Sequence, residues 1–128
     1  MAIAVVQLGS KRIRGEGPRL GTVRRPPRGV PKRDFAKRDY YDVWLPQLAP
    51  SAGLVKRALS ATGDRQWQAF VKAYRKEMSD KERSRLLDLL AALSKTSAFS
   101  VGCYCDDEAR CHRSVLRDLL RERGAKLR

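Results

Sequence analysis

The chain opens on an unbroken apolar run, Ala2-Ile3-Ala4-Val5-Val6, that gives way to Gly9-Ser10. A short run rich in β-formers and bounded by turn residues predicts a buried strand. The pattern lapses from Lys11 to Arg38, where Pro18, Pro26, Pro27, Pro31 and four glycines oppose regular structure, apart from a short strand near Leu20 to Val23. Apolar positions return at once with Tyr40, Tyr41, Val43, Trp44 and Leu45. Residues 11–38 are therefore expected to form an ordered loop clamped at both ends, the far end held in the core by these side chains.

Three helical periodicities follow. Ser51 is expected to cap a short helix through Leu59, with Gly63 closing the connection. Asp64 is expected to cap a second helix, in which Trp67, Phe70, Val71, Tyr74 and Met78 form one apolar stripe that reads as core packing and not as a cofactor contact. Ser79-Asp80-Lys81-Glu82 has the form of a capping box and opens a third helix through Leu86, Leu87, Leu90 and Leu93. Ala98 to Tyr104 predicts a strand, and Val115, Leu116, Leu119 and Leu120 mark a final helix with Gly124 at its C′ position. Strands separated by helices need crossover connections. The expected fold class is α/β, a small parallel or mixed sheet flanked by helices in a single compact domain over residues 1–128.

Charge changes this picture most in the loop. The whole chain carries +14, and residues 11–38 hold eleven Lys or Arg against Glu16 and Asp34 alone. A field of that size reaches about 8 Å in physiological salt and attracts polyanions, so a nucleotide or nucleic acid is the expected partner. Of the 28 basic residues 19 are Arg, a bias that genome composition can also produce with no partner. The opening apolar run is too short for a signal segment, and no run of roughly eighteen apolar residues occurs, so neither export nor a membrane span is expected. The three cysteines sit together at 103, 105 and 111, unlike a secreted disulfide framework, and read as reduced thiols of a cytoplasmic protein.

Those cysteines belong to the segment Cys103-Tyr104-Cys105-Asp106-Asp107-Glu108-Ala109-Arg110-Cys111-His112-Arg113-Ser114, between the carboxyl end of a predicted strand and the amino end of a predicted helix. Open α/β sheets bind ligands there, and a helix start with arginines beside it suits a phosphate or carboxylate. Cys111, between Arg110 and Arg113 at the helix start, is the expected thiolate and nucleophile. Cys105, followed by three acids, is expected to stay protonated. His112 is the chain's one histidine and is suited to acid, base or ligand roles, although its neighbour along a helix points away from it. A phosphatase-type Cys-x5-Arg loop starting at Cys105 fails, because position 111 is Cys. Cys103, Cys105, Cys111 and His112 have the number and type of ligands for zinc, with a spacing unlike common zinc knuckles. Without zinc, no cofactor is expected. The plainest alternative has the acids capping the helix and the thiols packing as small hydrophobes.

Several motifs in order resemble the YeaO-like family, domain of unknown function family 488. They are Lys11-Arg12 after the first strand, Arg24 with Pro27-Arg28-Gly29-Val30, Trp44-Leu45 with Leu48-Ala49-Pro50-Ser51, the Trp67, Phe70 and Tyr74 helix, and Cys111-His112-Arg113-Ser114. Where relatives often carry Asp-Arg-Leu-Trp this chain has Val23-Arg24-Arg25-Pro26, and some relatives place Asn where this chain has Cys111. The resemblance implies the fold and the position of the site, and brings no activity with it. The expectation is an anion pocket in which Lys11, Arg12, Arg24, Arg28, Arg110, Arg113 and Ser114 hold a phosphate beside Cys111 and His112. The alternative is a nucleic-acid-binding protein without catalysis, its 11–38 loop along the backbone and Tyr40, Tyr41 and Trp44 stacking on bases.

Overall fold

The computed structural model describes residues 1–128. Four strands, β1 (Ile3–Gln7), β2 (Arg19–Gly21), β3 (Val43–Trp44) and β4 (Phe99–Cys103), form one sheet in the order β1-β4-β2-β3. Every pairing is parallel, with Ile3 opposite Phe99, Arg19 opposite Ser100 and Leu20 opposite Val43. The helices are α1 (Ala52–Ser60), α2 (Asp64–Glu77), α3 (Lys81–Leu93) and α4 (His112–Glu122). The chain thus has the expected α/β class.

A parallel pair cannot be closed by a tight hairpin. Helices α1 to α3 make the crossover from β3 to β4, whereas the connections from β1 to β2 and from β2 to β3 contain no α-helix. The basic segment supplies those two connections, with β2 in its middle. Its order is therefore a requirement of the sheet.

All four helices contribute to one apolar cluster, in which Trp67, Phe70, Tyr74, Leu87, Leu90, Leu116 and Leu120 pack with Ile3, Phe99 and Val101 of the sheet. A second cluster joins Ala4, Val6 and Leu8 to Val23, Tyr41, Cys103 and Cys111. Gly21 makes room for it, since a Cβ there would stand 2.3 Å from the Tyr41 ring.

The stripe of α2 and the Ser51 cap stand as expected, the Ser51 side chain accepting from the Leu54 amide. Two other caps are corrected. Asp80, and not Ser79, accepts from the Arg83 amide at the start of α3, while Ser79 Oγ donates to the Lys76 carbonyl at 2.6 Å. Gly63 precedes α2 without a side-chain cap, and Asp64 instead pairs with Arg110. The anchor of the loop is narrower than expected. Tyr41 is buried, but Val43 and Trp44 form an edge strand and are 49% and 43% exposed.

What holds the loop is an ion pair that composition concealed. Arg19 is fully buried and all five of its N–H donors are engaged. Nε and Nη2 reach the Glu16 carboxylate at 3.2 and 3.0 Å, Nη1 the Ser10 and Asp39 carbonyls at 2.8 and 2.7 Å, and Nη2 also the Lys11 carbonyl at 3.3 Å. Glu16 in turn accepts from Ser100 Oγ at 2.6 Å and the Ile13 amide at 2.8 Å. Burial alone would raise the Glu16 pKa, yet donors from Arg19, Ser100 and Ile13 bring it below the ordinary value. Gly17 beside it has φ +74° and lies so close to the Ala98 carbonyl that a Cβ would come within 2.0 Å.

Candidate functional site

The site is built where β4 ends and α4 begins. Cys103 closes β4, Cys111 precedes α4, and the intervening loop carries Cys105. Sγ of Cys103 lies 3.8 Å from Sγ of Cys105, and Sγ of Cys111 lies 3.9 Å from Nδ1 of His112. Cys111 has extended backbone, φ −125° and ψ 150°, so its neighbour relation to His112 is not the helical one expected and the two side chains meet. Cys103, Cys111 and His112 are buried; Cys105 is half-exposed.

The imidazole is fixed from two sides. Its Nε2 stands 2.6 Å from the Thr22 carbonyl, which can only accept, so Nε2 carries the proton. In the neutral ring Nδ1 is then bare and faces the Cys111 sulfur. Tyr74 packs edge-on against the ring at 5.6 Å and is itself held by donation to the Leu48 carbonyl at 2.7 Å. Burial pushes the Tyr74 hydroxyl pKa far up, so it remains a donor.

Electrostatics in the loop reverse one expectation. Asp106 accepts from Gln7 Nε2 at 2.7 Å, Asp107 from the Ala109 amide at 3.0 Å, and Glu108 forms a fork with Arg117 at 2.7 and 2.9 Å. With the acids so engaged, Cys105 is governed by the S–H groups of Cys103 and Cys111 and by Arg113, and its pKa is lowered, not raised. The Cys103 thiol is pushed up by its contacts with Cys105 and Cys111 and by burial. The Cys111 pKa is lowered chiefly through Cys103, with a contribution from His112 and against the effects of Cys105 and burial, and not through Arg110 and Arg113, the cause the sequence suggests.

Arg113 is 4% exposed, donates from Nη2 to the Cys105 carbonyl at 2.6 Å, and has a buried Nε with no hydrogen-bond partner. Ser114 Oγ donates to the Cys111 carbonyl at 2.9 Å, and no side chain caps the first turn of α4. Arg110 lies at the rim, paired with Asp64 and 5.9 Å from the centroid of the Trp67 ring.

The other cations named from the sequence go elsewhere. Arg12 is bound to Asp39, Asp42 and the Ala36 carbonyl, and Arg24 to the carbonyls of Pro46, Ala49 and Pro50. Both tie chain to chain. Lys11 and Arg28 are exposed, and their side chains make no hydrogen bond or ion pair. No hydrogen bond links any of these four to the thiols or to Arg113. Sequence reasoning missed Thr22, which acts through a backbone carbonyl; Tyr41, named there for the core and for stacking, is buried and its hydroxyl lacks a partner.

As a set of metal donors, Cys103, Cys111 and His112 place their ligand atoms within 4.8 Å of one another, with Cys105 beside them. No helix is long and apolar enough to cross a membrane. Neither a curated protein nor a solved structure matches the chain. One family model, DUF488-N3a, described as the active DUF488-N3 subclade, matches residues 3–124, and with nearly the whole chain spanned the protein belongs to that family.

Proposed function

We propose that the protein takes a phosphate of a nucleotide or nucleic acid to the carboxyl end of its sheet and acts on it at the thiol–imidazole centre. The observation that carries this is Arg113, a buried guanidinium with a bare Nε beside three thiols and a fixed imidazole. An unpaired buried donor costs about 1–3 kcal/mol, which an anion at that point removes. In support, Lys11, Arg14, Arg25, Arg28, Lys32, Arg33 and Arg38 are exposed without an acidic partner, a field that draws polyanions. The ligand meets the half-exposed Cys105 first. Behind it, the Cys111 thiol passes its proton to Nδ1 of His112 and, as the thiolate, attacks phosphorus; the S–P bond forms as the P–O bond to the departing alcohol breaks, and that oxygen takes the proton back from Nδ1. The family's description as an active subclade agrees in kind.

The test is alkylation of Cys105 by iodoacetamide, followed by mass spectrometry. Adenosine monophosphate slows it in the wild type and leaves it unchanged in Arg113→Met; equal rates with and without the nucleotide refute the reading. Any turnover found is lost in Cys111→Ser and His112→Ala.

The spacing favours zinc as a second reading. A tetrahedron with Zn–S near 2.3 Å has edges of about 3.8 Å, against 3.8 Å between Cys103 and Cys105 and 3.9 Å from Cys111 to His112. A ligating imidazole usually gives its other N–H to a carbonyl, the part Thr22 plays here. Cys103, Cys105, Cys111 and His112 then hold the ion, and Cys111 is a ligand instead of a nucleophile. Metal analysis of protein purified without chelator decides: one zinc per chain under this reading, none under the first.

A further inference from the structure

The geometry points to a subsite for one unstacked base of a single-stranded nucleic acid, in the cavity between the basic loop and β3. This rests on the reading that the ligand carries nucleotide phosphates, and it names the form of that ligand.

The cavity is about 390 Å³, large enough for a base, and its wall includes Pro26, Phe35, Tyr41 and Trp44 with Lys32 and Arg33 at its side. Trp44 is 43% exposed, yet its indole N–H donates to the Val23 carbonyl at 2.8 Å. An exposed ring held in one orientation is a stacking platform that loses little freedom when a base lies on it. Phe35 and Tyr41 meet edge to face at 5.2 Å and so form a rigid floor. Tyr41 is 4% exposed, and its hydroxyl is both buried and unpartnered. Burial raises its pKa, so the hydroxyl stays neutral and the floor carries no charge.

Charge selects the kind of ligand. The one acid of the wall, Asp42, is already bound by Arg12 at 2.9 Å, which leaves Lys32 and Arg33 uncompensated. With Lys11, Arg14, Arg25, Arg28 and Arg38 also free along the same segment, there are more cationic positions than a single mononucleotide can engage. A base in a cavity has left its stack, which a single strand permits at far lower cost than a duplex. The subsite adjoins the thiol centre through Tyr41, which packs in one cluster with Cys103 and Cys111, and through the Tyr104 hydroxyl, which donates to the Arg25 carbonyl at 2.9 Å.

The test titrates a mixed-sequence twelve-residue single strand, as DNA and as RNA, and the matching DNA duplex, following tryptophan emission and anisotropy of a labelled strand. At least one single strand is expected to bind ten times or more tighter than the duplex and to quench Trp44. Trp44→Ala removes that preference while duplex binding is unchanged; Trp44→Phe, which keeps a ring, retains part of it. Lys32→Gln with Arg33→Gln, both at exposed positions that leave the fold intact, weakens single-strand binding and lowers its salt dependence. Equal binding of single strand and duplex, or a preference untouched by Trp44→Ala, overturns the subsite. If the preference vanishes while adenosine monophosphate still protects Cys105 through Arg113, only the subsite falls. If that protection fails while the Trp44-dependent preference persists, only the phosphate reading falls.

Discussion

Two arginines of this chain are buried, Arg19 in the loop crossover and Arg113 at the start of α4, and they are partnered in opposite ways. Arg19 has every donor engaged, faces the Glu16 carboxylate and is sealed from solvent. Arg113 has a single hydrogen bond, to the Cys105 carbonyl, an Nε with no partner, and thiols for neighbours. A buried guanidinium is stable when its fork is filled and costly when it is not. One arginine is thus complete within the fold, while the other keeps a donor that the fold leaves without a partner, the position the proposed reading gives to an anion. Counting basic residues cannot separate these two roles; only their partners do.

The comparison breaks most visibly at Arg19. Replacing it by Met strands a buried carboxylate and three carbonyls, and urea denaturation should show a loss of about 3–5 kcal/mol; a loss below about 1 kcal/mol would make the two arginines equivalent. Arg113→Met removes an unsatisfied donor along with one bond, so its stability change should stay within about 1 kcal/mol in the same assay. A pH series sharpens the contrast. Folding lowers the Glu16 pKa, so its contribution is present in full above the carboxylate's unfolded range and is lost as pH falls through that range toward the folded value. Denaturation midpoints measured downward from pH 7 should fall in the wild type and fall less in Glu16→Gln. The smallest effects belong to Lys11→Gln and Arg28→Gln, exposed and unbonded, which should leave stability within about 0.5 kcal/mol. Each should lower the slope of log affinity against log salt for an oligonucleotide by about one where it contacts a phosphate.

Much of this arrangement was legible beforehand. The stripe of Trp67, Phe70, Tyr74 and Met78 declares α2 because only a helix brings those positions to one face. The crossover requirement of a parallel sheet follows from the alternation of strands and helices. The caps at Ser79 and Asp64 were each read one residue away from the true position, because Ser79-Asp80 and Gly63-Asp64 offer two adjacent candidates and the choice is made by backbone angles. β3 escaped notice because two residues of an exposed edge carry no periodicity. That Cys103, Cys105, Cys111 and His112 lie together follows from their places in the sequence, but their electrostatics do not. The effect of Asp106, Asp107 and Glu108 on Cys105 depends on their being turned toward Gln7, Ala109 and Arg117, which are distant contacts or backbone groups. Arg12 and Arg24 read as clamps for the same reason: a guanidinium bound to distant carboxylates, as Arg12 is, or to carbonyls, as Arg24 is, looks in sequence like a free one.

The most direct test is a calorimetric titration of adenosine monophosphate into the wild type and into Arg113→Met, with the folding of each checked by denaturation. The account predicts saturable binding at one site in the wild type, weakened at least tenfold in a variant that is as stable as the parent. Equal affinity in the two proteins, or a variant that unfolds as readily as Arg19→Met, would contradict it and return Arg113 to a purely structural role.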